Sequence, residues 1–254
     1  MLLVNQFWAP KNMYEYCGMF SLGHMVLFLI SIFLLIILLF ISKNITVHDV
    51  EILTKIMAVI ITILEGMKIY FNLYWGYKNI NSWLPISYCS IFIYALWLSA
   101  YGKEKLKEIG DSFITGCSVV AGGAYLLFPS TSLTVYPVWH FLCIYSMFFH
   151  TMMVYFGMIY IKNEIIKLDI TGFKKYLKIF LFFSIIAIFL NESFGTNFML
   201  LSRPFKIPVP VIHKLYNLYP RIYTILVFVI YLFVPYFTTR FFIRILNKNI
   251  AIKV

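Results

Sequence analysis

Long apolar runs separated by short polar or proline-containing breaks dominate this sequence. The runs fall at roughly 20–42, 51–75, 84–101, 111–128, 136–161, 176–196 and 219–244. Most of them are close to the ~20 residues that a helix needs to cross the hydrocarbon core of a bilayer. An open sheet would leave backbone groups unpaired in lipid, so the runs are predicted to be helices. The predicted fold is an all-α, polytopic transmembrane bundle of about seven spans.

The composition excludes a soluble globular domain. Hydrophobic residues make up 62% of the chain and charged residues 12%, whereas soluble domains are about half apolar and about a quarter charged. The formal net charge of +11 comes from Lys and Arg residues in the breaks between the apolar runs. Such charges match anionic lipid headgroups, so we expect a membrane surface and no nucleic acid as the partner.

The basic residues also predict the orientation of the chain. With seven spans, six of the 21 Lys and Arg residues fall on the side of the N-terminal tail and fourteen on the opposite side. The positive-inside rule then places the N-terminus outside and the C-terminus in the cytoplasm. The first run, Leu22 to Ile41, is interpreted as a retained span and not as a cleaved signal peptide. Without a repeat or a linker, residues 1–254 are predicted to form a single integral membrane domain, multi-pass in a bacterial plasma membrane.

Ionisable side chains inside the apolar runs are the candidate functional groups, because such groups are costly in lipid. They are His24, Glu65, Lys68, His140, His150 and Glu192, with Cys89 as a candidate nucleophile. The predicted topology brings most of them to one depth, near the outer surface. A thiol and an imidazole in one polar pocket would form a nucleophile–base pair for attack on an acyl carbonyl.

Structural roles compete with these functional ones. A cysteine within a span is usually a small inert packing residue, and His140 would also suit a hydrogen bond to headgroups or carbonyls. Glu65 and Lys68, three residues apart, are expected to pair along one helix face. Gly116, Gly122 and Gly123 are expected to permit close helix packing. The four cysteines have no zinc-like spacing, so neither a metal nor a cofactor is expected.

Several motifs in the same regions resemble the YwaF / TMEM164-like family of integral membrane proteins. They are Gly23-His24, the stretch from Leu84-Pro85 to Cys89-Ser90, Leu127-Phe128-Pro129 with Trp139-His140-Phe141 and His150, Asn197 to Leu200 with Arg203-Pro204, and Tyr219-Pro220 with Tyr223. The resemblance covers nearly the whole chain. The combination of the LPxxxC element with the later proline and histidine residues is its most specific part.

The resemblance implies a membrane-embedded acyltransferase that acts on phospholipids. Carried over to this chain, it makes Cys89 the acyl-accepting nucleophile and His140 its base. It places His24, Pro85, His150 and Asn197 in the pocket or next to it, and the ionisable pair within the second run adds Glu65 and Lys68 to that set. Because the predicted pocket faces outward, the expected acyl donor is another membrane phospholipid and the acceptor a lysophospholipid. If the orientation is reversed, acyl-coenzyme A becomes a candidate donor.

Two other classes of function stay open on the sequence. A small-molecule or lipid carrier would use Glu65, Lys68 and the histidines to line a substrate path, and it would tolerate replacement of Cys89. A non-catalytic membrane scaffold would tolerate replacement of both Cys89 and His140. The oligomeric state is not predicted.

Overall fold

The structure is a computed structural model, described here for residues 2–204 and 210–251, with side chains for 5–204 and 210–246. Within those ranges all regular elements are helical, which confirms the predicted all-α class. The α-helices in that part of the chain are α1 (Leu2–Phe7), α2 (Leu22–Ile41), α3 (Val47–Tyr74), α4 (Ile91–Tyr101), α5 (Glu104–Leu127), α6 (Phe141–Lys162), α7 (Ile170–Phe194), α8 (Pro210–Leu218) and α9 (Pro220–Ala251).

Four segments of the described chain are long and apolar enough to cross a membrane: Leu22–Asn44, Phe141–Lys162, Ile170–Phe194 and Pro220–Leu246. They support a multi-pass membrane protein. The other three predicted spans correspond to α3, α4 and α5. Of these, α3 and α5 are long but carry several charged residues, and α4 has only 11 residues. The count of seven spans and the orientation of the termini therefore stay predictions.

The third apolar run begins as a turn and not as a helix. Its predicted start lay at residue 84, whereas α4 begins at Ile91. Pro85 has no backbone N–H and disfavours helical geometry in the residue before it. The hydroxyl of Ser87 then accepts a hydrogen bond from the backbone N–H of Ser90 at 3.2 Å. This turn contains Cys89 and packs into the interior of the bundle, where the ring of the following Phe92 meets Phe149 of α6 edge-on at 5.8 Å.

Helix α5 lies at the centre of the bundle and contacts α4, α6, α7 and α9. Two glycines make this close packing possible. A Cβ atom at Gly116 would lie 2.4 Å from the ring of Tyr236, and one at Gly122 would lie 2.7 Å from the carbonyl oxygen of His150. A Cβ at Gly123 would meet no described atom within 4 Å. The packing role predicted for all three glycines is therefore confirmed for two of them and wrong for Gly123.

Candidate functional site

His140 is the N-cap of α6, and backbone groups engage both of its ring nitrogens. Its Nδ1 accepts a hydrogen bond from the backbone N–H of Leu142 at 3.0 Å. The hydrogen-bond pattern thus assigns the ring proton to Nε2, which donates to the carbonyl of Ala9 at 3.0 Å. The side chain is fully buried. In this arrangement His140 offers no free lone pair to a thiol.

Aromatic rings enclose the imidazole of His140. The ring of Tyr136 stacks on it with centroids 4.1 Å apart, and Phe71 of α3 meets it edge-on at 5.1 Å. The hydroxyl of Tyr136 is buried and has no hydrogen-bond partner among the described residues. A buried polar group without a partner is uncommon and calls for a physical explanation.

His24 joins the start of α2 to the end of α5. Its Nδ1 accepts from the backbone N–H of Phe20 at 3.0 Å, and Nε2 lies 3.0 Å from the carbonyl of Leu126. Because Nδ1 is the acceptor, Nε2 carries the proton and donates it. Both nitrogens are therefore engaged, as in His140, and the contacts made by His24 stabilise the packing of the two helices.

In His150 the ring proton lies on Nδ1, whereas in His24 and His140 it lies on Nε2. Its Nδ1 lies 2.7 Å from the carbonyl oxygen of Ser146. A carbonyl only accepts, so Nδ1 carries the proton and Nε2 holds a lone pair. Nε2 is buried and has no hydrogen-bond partner in the described part of the chain. The ring stacks on Tyr125 at 3.6 Å, and the hydroxyl of Tyr125 is hydrogen-bonded to that of Ser132 at 2.9 Å. Of the three histidines buried within the described ranges, His150 alone has a free basic nitrogen.

Cys89 lies in the turn before α4, in the same turn as Pro85, and is partly buried. Its thiol makes no side-chain hydrogen bond within the described residues, so the structure does not pair it with His140. Its neighbour Tyr88 stacks on Tyr231 of α9 with ring centroids 4.6 Å apart. The catalytic roles of Cys89 and His140 stay predictions.

The ion pair expected between Glu65 and Lys68 is present on α3. The hydroxyl of Tyr145 donates to the other carboxylate oxygen of Glu65 at 2.7 Å. The carboxylate is buried, whereas the side chain of Lys68 is partly exposed. These contacts connect α3 to the first turns of α6, at the same end of the bundle as His140.

Asn197 organises the loop that follows α7. Its Oδ1 accepts from the backbone N–H groups of Ser202 and Arg203, each at 3.1 Å, and its Nδ2 donates to the carbonyl of Arg203 at 2.9 Å. Its own N–H donates to Oδ1 of Asn81 at 3.0 Å. The side chain of Asn197 is thus engaged in folding the loop.

Sequence reasoning missed a second buried polar cluster at the opposite end of the bundle. Ser99 of α4 donates to the carboxylate of Asp111 at 2.5 Å and lies 2.7 Å from the hydroxyl of Tyr160 on α6. Thr54 of α3 lies 2.8 Å from that same hydroxyl, and Lys107 pairs with Asp111 at 3.4 Å. Asp111 begins the fourth apolar run, at 111–128, and an acidic residue there was the available signal, but it was not among the predicted functional groups.

The geometry thus places His24, His140 and the Glu65–Lys68 pair toward one end of a helical membrane bundle. His150 lies near the middle of α6, and the turn that contains Cys89 is close to that level, because Phe92 packs against Phe149. A search of curated proteins and a search of solved structures each gave no match. The model of the TMEM164 family matches residues 19–236, which is most of the chain. This protein therefore belongs to the TMEM164 family.

Proposed function

We propose that this protein is a membrane-embedded acyltransferase that moves a fatty acyl chain from a membrane phospholipid onto a lysophospholipid. The observation that carries the proposal is the family match over residues 19–236, together with the phospholipid acyl transfer that the resemblance implies. The four segments that are long and apolar enough to cross a membrane support a substrate found in the bilayer. We place the protein in the cell membrane, with the candidate site toward the outer leaflet, from the distribution of its basic residues.

Acyl transfer through a cysteine needs a group that removes the thiol proton. We assign the nucleophile to Cys89 and the proton acceptor to His150, whose Nε2 holds an unengaged lone pair. Phe92, one turn after Cys89, packs edge-on against Phe149 at 5.8 Å, so the elements that carry the two groups are in contact. His140, the base expected from the resemblance, would first have to give up a hydrogen bond to Leu142.

The proposed cycle has two half-reactions. His150 takes the proton of the Cys89 thiol, and the thiolate attacks the ester carbonyl of the donor. The ester C–O bond breaks, His150 returns the proton to the departing oxygen, and a thioester remains on Cys89. His150 then removes the hydroxyl proton of the lysophospholipid, whose oxygen attacks the thioester. The C–S bond breaks and the thiolate recovers a proton from His150, so no net proton is consumed.

The test uses purified protein in liposomes with a labelled lysophospholipid and ordinary phospholipid, with and without acyl-coenzyme A. Mass spectrometry would compare wild type with Cys89→Ala, His150→Gln and His140→Gln. We expect labelled diacyl product from wild type without acyl-coenzyme A, and loss of about 10² in rate or more for Cys89→Ala and His150→Gln. A loss confined to Cys89→Ala and His140→Gln would return the base to His140. Product that requires acyl-coenzyme A would overturn the donor, and wild-type product equal to that of Cys89→Ala would overturn the enzyme.

A carrier is the second candidate function, and the buried carboxylate of Glu65 favours it. Intramembrane carboxylates paired with a basic group occur along substrate and proton pathways, and Glu65 bonds both Lys68 and Tyr145. The carrier predicts that uptake of a labelled lysophospholipid into liposomes is lost in Glu65→Gln and retained in Cys89→Ala. The acyltransferase predicts that product formation is lost in Cys89→Ala and retained in Glu65→Gln.

A further inference from the structure

Residues 8–18, which we call the N-terminal strap, lie against the end of the bundle that contains His140. The ring of Trp8 packs edge-on against Phe71 at 5.0 Å and, at a tilt, against Phe141 at 5.2 Å. Such aromatic pairs stabilise a contact beyond what the buried area alone supplies. The next residue, Ala9, is the one whose carbonyl accepts the hydrogen bond of His140. The strap thus covers the imidazole and also bonds to it.

The far end of the strap is attached through its backbone. Cys17 donates to the carbonyl of Tyr136 at 2.9 Å, and Gly18 donates to the carbonyl of Leu133 at 2.7 Å. Gly18 has a φ of 80°, in the left-handed region that glycine adopts without strain. The family match begins at residue 19, so the strap lies outside the part of the chain that the family model describes.

The contacts of His140 fix which kind of atom can take the place of Ala9. Since Leu142 donates to Nδ1, Nε2 is a hydrogen-bond donor. Its partner must therefore be an acceptor such as a carbonyl or phosphate oxygen. The hydroxyl of Tyr136, on the ring stacked against this imidazole, is buried with no partner in the described part of the chain. The stacked rings of Tyr136 and His140 thus carry one polar group without a partner and one donor, Nε2–H, that the Ala9 carbonyl engages.

We propose that Nε2–H of His140 and the hydroxyl of Tyr136 form a binding site for an oxygen of a membrane phospholipid, and that the Ala9 carbonyl occupies this site until the lipid displaces the strap. The lipid oxygen is an ester carbonyl or a phosphate oxygen, which present the same acceptor chemistry. The inference rests on the proposed function, because the lipid is the substrate or product of that acyl transfer. His140 then positions the lipid, while His150, ten residues and about 15 Å further along α6, handles protons.

The test measures binding without turnover, on the full-length protein in detergent micelles. The probe is a short-chain diacyl phosphatidylcholine, and calorimetry gives its Kd. Tyr136→Phe removes only the unpartnered hydroxyl and should weaken binding about fivefold. Trp8→Ala loosens the competing strap and should tighten binding about fivefold. Tyr16→Phe, at a side chain that is 59% exposed within the strap, is the matched control and should bind as wild type does.

Hydrogen–deuterium exchange supplies the second measurement. Added lipid should speed exchange at the amides of residues 9–18, because the lipid takes the place of Ala9. A diether analogue keeps the phosphate and lacks ester carbonyls, whereas diacylglycerol keeps the carbonyls and lacks the phosphate. The analogue that retains Tyr136-dependent binding identifies which oxygen is bound.

Unchanged Kd values in both Tyr136→Phe and Trp8→Ala, with unchanged exchange in the strap, would overturn the inference. If Trp8→Ala does not fold, Tyr136→Phe decides alone, since losing an unpaired buried hydroxyl should not reduce stability. Failure of acyl transfer with these binding differences intact would overturn the proposed reaction and leave the lipid site standing. Acyl transfer by wild type, with no difference in binding between the variants, would overturn the lipid site and leave the proposed reaction standing.

Discussion

The contact between α5 and α6 at Gly122 predicts a sharp difference between two adjacent glycines. In Gly122→Ala the new methyl group would lie 2.7 Å from the carbonyl oxygen of His150 and 2.9 Å from Cγ2 of Val154. The carbonyl belongs to the α6 backbone and cannot rotate away as a side chain can. The two helices must therefore move apart at the level of His150 and Tyr125.

The expected cost follows from two opposing effects. Overpacking a close helix contact costs about 1–3 kcal/mol, and alanine favours a helix over glycine by about 0.5–1 kcal/mol. Gly122→Ala should therefore lower the free energy of unfolding by about 0–2.5 kcal/mol. Gly123→Ala meets no described atom within 4 Å, so only the helix preference applies. That variant should match the stability of wild type or exceed it by up to about 1 kcal/mol.

Reversible unfolding in mixed detergent micelles would measure both variants against wild type. Gly122→Ala should also lower acyl transfer, because the displaced segment of α6 carries His150, whereas Gly123→Ala should leave it unchanged. Equal unfolding free energies for the two variants would contradict the expected clash. That result would mean that α5 and α6 are further apart, or yield more easily, than the 2.7 Å approach implies.

Two further predictions concern stability away from the candidate site. Ser99→Ala removes the donor to the buried Asp111 carboxylate and a partner of Tyr160. It should lower the free energy of unfolding by about 1–3 kcal/mol. A change within error of zero would mean that these hydrogen bonds do not stabilise the fold. Asp169 is the N-cap of α7, and its carboxylate accepts a hydrogen bond from the backbone N–H of Gly172. This hydrogen bond holds the pKa of the Asp169 carboxyl below its ordinary value of 3.8. The stability from this cap is thus present above the ordinary pKa and lost as pH falls through the lower folded-state pKa. Thermal unfolding at a series of acidic pH values should show a smaller acid-side loss in Asp169→Asn than in wild type.

The sequence predicted the positions of the long helices well, because the apolar runs are long and their breaks are polar. It was less reliable where a run contained a local constraint. The run at 84–101 reads as continuous by hydropathy, yet Pro85 and the Ser87 hydroxyl bond hold its first turns out of the helix. The run at 111–128 shows a second limit, since α5 begins seven residues earlier, at Glu104, and Asp111 is buried within the helix.

Hydrogen-bond partners in the candidate site were beyond sequence reasoning. The sequence placed His24 and His140 near one surface, and contacts at the end of the bundle agree with that placement. Their partners, however, are Leu126 and Ala9, which lie 102 and 131 residues away along the chain. No local pattern encodes such distant carbonyls. The sequence therefore identified the histidines without showing which backbone groups engage the two nitrogens of each ring.

The local rules of helix geometry explain why His140 and His150 have opposite chemistry on one helix. At the N-cap, the first backbone N–H groups have no carbonyl partner within the helix, so His140 satisfies one of them through Nδ1 and is left with a donor at Nε2. In the helix interior the N–H groups are already bonded, so Nδ1 of His150 donates to the carbonyl four residues earlier and leaves an acceptor at Nε2. In the proposed mechanism, position along α6 thus assigns lipid binding to one histidine and proton transfer to the other. Exchanging their roles would require changing the helix boundary and not only the side chains.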